Sequence, residues 1–151
     1  MKLVSACLVG IKCNYKGEDK LNQKLFEEFR GGYLYPVCPE VLGGQPIPRP
    51  PAETKYGTGL DVLNGRARVI NPDGSDATKE FVKGAFEVLR IAKIVRAKEA
   101  ILKARSPSCG CGKIYDGSFS GKLIDGDGVT TALLKKNGIK VITDEDYNLK
   151  L

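Results

Sequence analysis

The sequence of 151 residues contains neither histidine nor tryptophan, and only one methionine. Without histidine, a site that relies on an imidazole as metal ligand or proton acceptor is excluded. No stretch approaches the ~18 to 20 consecutive apolar residues of a membrane-spanning helix. The segment "VSAC" at residues 4–7 resembles a lipoprotein cleavage box, but only four residues separate Lys2 from Cys7, too few for a signal peptide. The sequence therefore predicts a cytoplasmic protein with no membrane contact.

Composition and charge favour a soluble globular protein. Hydrophobic residues make up 42% and charged residues 28%, and the length suits one hydrophobic core. We expect a single domain over residues 1–151. The formal net charge is +6, but the positive residues are spread along the chain. The densest group, between Lys93 and Arg105, alternates with apolar residues and indicates a solvated helix face, so no nucleic acid polymer is expected as a partner.

Apolar periodicity predicts alternating strands and helices. The predicted strands are 2–6, 33–37, 100–104 and 139–143, and the predicted helices are 21–30, about 75–98 and 127–137. A β-hairpin is predicted over 60–70, because Asn64-Gly65 is a favoured two-residue hairpin turn. Strands that alternate with helices form parallel sheets covered on both faces. The predicted fold class is α/β, with three layers, a mainly parallel four-stranded Rossmann-like sheet and an inserted hairpin.

Cysteines follow three of the predicted strands. Cys7 follows the first strand, Cys38 the second, and Cys109 and Cys111 the third. Ligands of such sheets bind outside the carboxyl ends of the strands, so these thiols are expected at one edge. Five cysteines, an odd number, in a reducing compartment indicate metal binding or catalysis and not a disulfide framework.

Four interpretations of these cysteines compete. They could be small buried hydrophobes, but glycine-rich strand ends are poor places for all five. Structural zinc prefers Cys-x2-Cys pairs, and a dithiol redox site needs such a pair or a phosphate-type loop; the sequence has neither. An iron-sulfur cluster suits thiolates delivered from separate loops. We rank first a cluster with one iron left without a protein ligand, because an open metal position is the one that does chemistry.

Four segments carry a resemblance to a known family. They are "SACLVGIKCNYKG", "VCPEVLGGQPIPRPPAE", "ARSPSCGCGKIYDGSFSG" and "GDGVTTALLKKNGIKVI". Together they resemble the short thiouracil desulfurase family over nearly the whole chain. The resemblance implies an α/β fold and a 4Fe-4S cluster bound by three cysteines, here Cys7, Cys38 and Cys109. The sequence departs from the family at Asn14, where an arginine is usual, which puts substrate-anion contacts there in doubt.

The resemblance also implies a reaction and a substrate class. The thiocarbonyl sulfur of a thiolated nucleobase or nucleoside would bind the open iron, water would attack the adjacent carbon, and sulfide would stay behind without net electron transfer. Glu40 is the candidate base, and Ser106 and Ser108 are candidates to donate hydrogen bonds or relay the proton. Simpler roles are a salt bridge or helix cap for Glu40 and turn chemistry for the serines.

The remaining marked residues admit weaker expectations. Cys13 and Cys111 are alternative ligands, inert thiols or neighbours of the cluster that hydrogen-bond to its sulfurs, and the last role is favoured for both. Arg49 and Glu53 either line the pocket or form an ion pair that anchors the proline-rich loop. The Gly126-Asp127-Gly128 segment either presents amides to an anion or caps a helix. A non-enzymatic zinc- or iron-sulfur-binding protein is the alternative to an enzyme.

Overall fold

The computed structural model describes residues 1–149 of the chain. A short 3₁₀ helix, Ala6–Val9, follows the first strand. The strands are β1 (Lys2–Ser5), β2 (Leu34–Val37), β3 (Glu53–Lys55), β4 (Arg68–Ile70), β5 (Glu99–Leu102), β6 (Lys113–Tyr115), β7 (Leu123–Asp125) and β8 (Lys140–Thr143). The helices are α1 (Gln23–Arg30), α2 (Pro39–Leu42), α3 (Gly59–Leu63), α4 (Thr78–Ile94), α5 (Val129–Lys136) and α6 (Asp144–Asn148).

Four parallel strands form the central sheet, in the order β2-β1-β5-β8. The chain runs from β1 outward to β2 and then crosses back to β5 on the other side of β1. The direction of winding therefore reverses between β1 and β5, and ligands of such sheets bind at the carboxyl ends beside this reversal. The predicted α/β class with a parallel four-stranded sheet is confirmed. Two small antiparallel sheets, β3-β4 and β6-β7, are additions to it.

The sheet separates two hydrophobic cores. Neighbouring side chains of a strand point to opposite faces, so Leu3 of β1 packs in one core and Val4 in the other. The larger core includes Phe81 of α4 and Leu134 of α5, and the smaller one includes Leu25 of α1. Full burial of each such side chain contributes roughly 1.5–3 kcal/mol. The sheet is thus fixed between helices on both faces, which gives the loops at its edge a rigid base.

The hairpin predicted at 60–70 is wrong. Residues 59–63 form α3, which starts with a capping box: Thr58 N–H donates to the carboxylate of Asp61 at 2.9 Å. A capping box satisfies backbone donors that have no partner within the first turn of a helix, and Val62 is buried in the core. Gly65 takes a φ of 76° just after the helix, which is how glycines end helices. The antiparallel pair actually formed is β3 with β4.

Several element ends also differ from the prediction. Asp127 does not cap α5, whose N-cap is Gly128. Helix α4 starts at Thr78 and ends at Ile94, shorter than the predicted 75–98, although Asp76 does accept a hydrogen bond from Thr78 N–H at 2.8 Å. The 3₁₀ helix and α2 were not predicted. None of the helices within residues 1–149 is both long and apolar enough to cross a membrane.

Candidate functional site

A cavity of about 510 Å³ opens at the carboxyl edge of the sheet, where β1, β2 and β5 end. Four cysteines line it: Cys7, Cys13, Cys38 and Cys109. The fold therefore brings thiols from three distant segments to one cavity, as the sequence predicted. Cys111 is the exception, because it does not line this cavity and its thiol points to the carbonyl of Val141 in β8, 3.6 Å away. The expectation that Cys111 borders the same site is wrong.

Cys7 lies in the 3₁₀ helix directly after β1. Burial, and then the nearby thiols of Cys109 and Cys38, raise its pKa to about 12. A thiol with so high a pKa stays protonated at neutral pH. The pKa shift itself reports that the three thiols share one poorly solvated region. Binding a metal would relieve this penalty, since a metal replaces the proton on sulfur.

The segment after β2, residues 38–42, is here called the β2 arm. Cys38 is the N-cap of α2, and Glu40 lies in the first turn of that helix. The arm packs on α4 through two glycines. A Cβ on Gly84 would come within 1.9 Å of the Pro39 carbonyl oxygen, and one on Gly43 within 2.0 Å of the Glu80 carbonyl oxygen. Only glycines allow this approach, so α4 determines how far Cys38 and Glu40 extend into the cavity.

The segment after β5, residues 106–109, is here called the β5 arm. Backbone N–H groups of α5 hold it: Val129 donates to the Pro107 carbonyl at 2.8 Å, and Thr130 to the Ser108 carbonyl at 2.9 Å. The hydroxyl of Thr131 donates to the Cys109 carbonyl at 2.8 Å. The first N–H groups of a helix have no partner within the helix. Here they are satisfied by the loop that carries Cys109.

A hydrogen-bonded chain of side chains links the two arms. The Ser106 oxygen accepts from the N–H groups of Ser108 at 3.1 Å and Cys109 at 2.8 Å. Both of its lone pairs are thereby used, so its proton is left to donate to the Ser108 oxygen, 3.0 Å away. Ser108 in turn donates to Glu40 Oε2 at 2.8 Å. The chain runs in one direction, from Ser106 through Ser108 to Glu40.

Two hydroxyl groups lie near the Cys109 sulfur. The Ser5 hydroxyl donates to it at 3.5 Å, whereas the Ser108 hydroxyl, 3.7 Å away, directs its single proton to Glu40. Ser5 is also fixed by Lys103 N–H, which donates to its oxygen at 2.9 Å. Burial raises the pKa of Cys109 to about 11, although the hydrogen bond from Ser5 acts to lower it. Hydrogen bonds of this kind to cysteine sulfurs tune iron-sulfur clusters.

Arg49 supplies a buried positive charge to the site. Its Nε donates to Glu40 Oε1 at 2.8 Å, and its side chain is only 3% exposed. Burial is the largest single influence and acts to lower the pKa of Arg49, but the Glu40 carboxylate and the nearby Cys38 and Cys13 together raise it. The predicted Arg49–Glu53 ion pair is wrong. Glu53 instead accepts the N–H groups of Gly117 and Phe119, at 3.0 and 3.1 Å. Arg49 and Glu53 do both line the cavity, which was the alternative prediction for them.

Cys38 and Cys13 differ in acidity. The hydrogen bond with the Cys13 thiol is the largest influence lowering the pKa of Cys38, and the Val41 N–H in the first turn of α2 adds to it. The same hydrogen bond raises the pKa of Cys13. Cys38 is therefore the first thiol of the site to ionise. Cys13 lies next to Cys38 in the cavity wall, where its carbonyl is 3.8 Å from the Cys38 sulfur.

The structure also decides the weaker expectations. The N–H groups of Gly126 and Gly128 donate to the carbonyls of Gly112 and Gly110, at 3.1 and 2.8 Å, so they are not free to bind an anion. Asn14 lines the cavity, and its Oδ1 accepts the N–H groups of Lys16 and Glu18. The amide nitrogen of Asn14 is buried and has no hydrogen-bond partner among residues 1–149.

Three basic residues, Lys20, Lys103 and Arg105, also line the cavity. The sequence pattern does not predict this, since it indicates a solvated helix face for Lys103 and Arg105. Lys103 faces Asp144 at 3.9 Å, and Arg105 pairs with Glu145 at 2.8 Å. Their position directly after a buried strand, in front of Ser106, is the signal that could have located them. Because both are paired with carboxylates of α6, they add little net positive charge to the cavity.

Comparisons with known proteins agree with this architecture. The family model described as 2-thiouracil desulfurase matches residues 3–146. The chain belongs to the 2-thiouracil desulfurase family. It is also similar to the uncharacterized protein YbbK of Bacillus subtilis (strain 168), with 47% identity over 148 residues that cover 98% of each chain. This match extends the similarity over almost the whole length.

A solved structure shows the same fold. It is the [4Fe-4S]-dependent thiouracil desulfidase TudS, which is 39% identical, with a TM-score of 0.86 over 97% of this chain and 92% of that one. The resemblance seen in the sequence is thus confirmed at the level of family and fold. The residue roles expected within the family remain predictions.

Proposed function

We propose that this protein is a [4Fe-4S]-dependent desulfidase that removes sulfur from a small thiolated pyrimidine such as 2-thiouracil. Membership of the 2-thiouracil desulfurase family supports this, as does the similarity to a [4Fe-4S]-dependent thiouracil desulfidase. One observation carries the proposal: thiols of Cys7, Cys38 and Cys109 line the same cavity as the Glu40 carboxylate. We expect the enzyme to act in the cytoplasm on free bases or nucleosides and not on a nucleic acid polymer.

The donor set suits a cluster better than a single ion. Within residues 1–149, no three Cys, Asp or Glu side chains lie close enough together to hold one metal ion. A four-iron cluster spreads its ligand sulfurs further apart than a single ion does, and it is held by thiolates. We propose Cys7, Cys38 and Cys109 as its three ligands. The Ser5 O–H donor beside Cys109 and the buried Arg49 cation would stabilise the added negative charge.

The chemistry is divided between the cluster and the side chains. When bound, a cluster with one iron free of protein ligands would supply Lewis acid activation of the thiocarbonyl group. Glu40 would accept a proton from the attacking water, as a general base positioned in the cavity wall. Ser108 holds one carboxylate oxygen of Glu40, and Ser106 holds Ser108. The overall change replaces C=S by C=O with water as the oxygen source, so no oxidant or reductant is required.

Anaerobic reconstitution tests the proposal directly. The protein is loaded with iron and sulfide, both are counted per chain, and sulfide release from 2-thiouracil is measured. We expect four irons per chain in the cluster proposed, and turnover in the absence of any reductant. Glu40→Gln should keep the cluster while kcat falls about 10²- to 10⁴-fold.

Three outcomes would contradict the proposal or a part of it. A colourless protein that retains zinc would favour a structural metal site. An intact cluster without turnover on any of a panel of thiolated bases would leave a non-enzymatic cluster-binding protein. Turnover that depends on added reductant would refute the hydrolytic route while leaving the desulfidase assignment intact.

A further inference from the structure

All three nitrogens of the Arg49 guanidinium donate hydrogen bonds within the cavity wall. Its Nη1 donates to the Pro46 carbonyl at 3.2 Å and its Nη2 to the Cys13 carbonyl at 2.9 Å. These two backbone acceptors belong to separate loops. Because the guanidinium is planar and rigid, fixing both Nη atoms also fixes the direction of the Nε–H bond. That bond points at Glu40 Oε1.

The two carboxylate oxygens of Glu40 thereby have different partners. Oε1 accepts from Arg49 and Oε2 from Ser108, each at 2.8 Å. The terminal torsion of a glutamate is otherwise broad and permits rotation of the carboxylate. With one donor on each oxygen, rotation would break both hydrogen bonds. The plane of the carboxylate is thus set, and so is the direction in which its remaining lone pairs face the cavity.

We propose that Arg49 is the positioning residue that orients Glu40 toward the attacking water. The inference rests on the proposed function, because it assigns Glu40 the role of base. Arg49 itself need not touch the substrate, since it acts through Glu40. A lysine carries the same charge but has one nitrogen in place of the fork, so it cannot reach Glu40 and both carbonyls in one fixed arrangement.

A purely structural role for Arg49 predicts different behaviour. In that case Arg49 would only fasten the proline-rich loop to the Cys13 loop, and its replacement would lower stability and iron content. Its effect on kcat would then add to that of a Glu40 substitution. If Arg49 acts through Glu40, the two effects on kcat are not additive. Once Glu40 has been replaced, there is no base left to orient, so replacing Arg49 as well lowers kcat no further.

The test combines a double-mutant cycle with measurements that do not depend on turnover. Arg49→Lys, Glu40→Gln and the double variant are reconstituted anaerobically and assayed for iron per chain, kcat and KM with 2-thiouracil. We expect Arg49→Lys to retain its iron, with kcat reduced about 10- to 100-fold, the cost of misplacing a catalytic group, and KM little changed. Adding Arg49→Lys to Glu40→Gln should reduce kcat no further. Arg68→Lys is the matched control, because Arg68 makes a similar Nε contact with Asp76 at an exposed site.

Urea unfolding of the metal-free variants keeps the inference testable even if the wild type shows no turnover. Arg49→Gln and Glu40→Gln should each lower the unfolding midpoint, since each leaves a charge in a buried site without its partner. The double variant should be more stable than the sum of the two effects predicts. Wild-type kcat in Arg49→Lys, loss of its iron, additive effects on kcat or additive midpoint shifts would each overturn the inference. Absence of turnover in the wild type refutes the proposed function alone.

Discussion

The two arms of the site present their residues by different means. The β2 arm, which carries Cys38 and Glu40, rests on a steric contact with α4 and on the ion pair with Arg49. The β5 arm, which carries Ser106, Ser108 and Cys109, is tied down by backbone N–H groups of α5. A single substitution can remove a side-chain contact or an ion pair. Most substitutions leave backbone hydrogen bonds in place. The β2 arm is therefore the more easily disturbed half of the site.

The largest expected effect is loss of the cluster from either arm. Cys38→Ser and Cys109→Ser, together with Cys7→Ser, should each abolish cluster binding, because a serine oxygen is a poor substitute for a thiolate ligand. Cys111→Ser and Cys13→Ser should retain it. Iron counted per chain after anaerobic reconstitution measures this. Full iron content in any of the first three variants would contradict the ligand assignment.

The next largest effect is a difference in reactivity between the Cys38 and Cys109 thiols in the metal-free protein. The hydrogen bond with the Cys13 thiol, and to a lesser extent the Val41 N–H of α2, lower the pKa of Cys38, whereas burial raises that of Cys109 to about 11. The reactive thiolate forms above the pKa, so Cys38 reacts at a lower pH than Cys109. Near neutral pH, iodoacetamide should label Cys38 at least about tenfold faster, one unit of pKa being a factor of ten. Mass spectrometry of peptides from a pH series gives both rates, and equal rates would contradict the pKa difference.

Packing under the β2 arm should be sensitive to a single methyl group. In Gly84→Ala the added Cβ would overlap the Pro39 carbonyl oxygen, so α2 must move away from α4. We expect a loss of about 1–3 kcal/mol in the free energy of unfolding and weaker cluster binding. Urea denaturation measures the stability change. Lys83→Ala, at an exposed neighbouring position in the same helix, is the control and should change little.

The smallest effect concerns the side-chain hydrogen bond under the β5 arm. Thr131 and Thr130 are both fully buried, but only Thr131 donates to the Cys109 carbonyl, while the Thr130 hydroxyl has no partner within residues 1–149. Thr131→Val should cost about 1 kcal/mol of unfolding free energy. Thr130→Val should cost nothing or increase stability, since it removes an unsatisfied buried hydroxyl. Equal losses in urea denaturation would show that this hydrogen bond contributes nothing specific.

The local sequence pattern predicted the central sheet well and the segment at residues 60–70 poorly. The four central strands are short apolar runs, which is the pattern of buried strands, and α1, α4 and α5 follow a clear helical period. Residues 60–65 were ambiguous, because Leu60, Val62 and Leu63 with Asn64-Gly65 suit a hairpin as well as a short helix. The capping box of Thr58 and Asp61 decided for the helix. Its aspartate in place of the usual glutamate or glutamine made it easy to overlook.

The sequence by itself determined that thiols would follow three parallel strands, because alternation of strands and helices allows few topologies and brings all strand ends to one edge. Only the tertiary structure decided which residues face one another across that edge. It directed Cys111 away from the cavity toward β8 and paired Arg49 with Glu40 instead of Glu53. The physical reason is that side-chain partners depend on crossing angles and close approaches between distant segments, such as the glycine contact of α2 with α4, and these have no periodic signal along the chain.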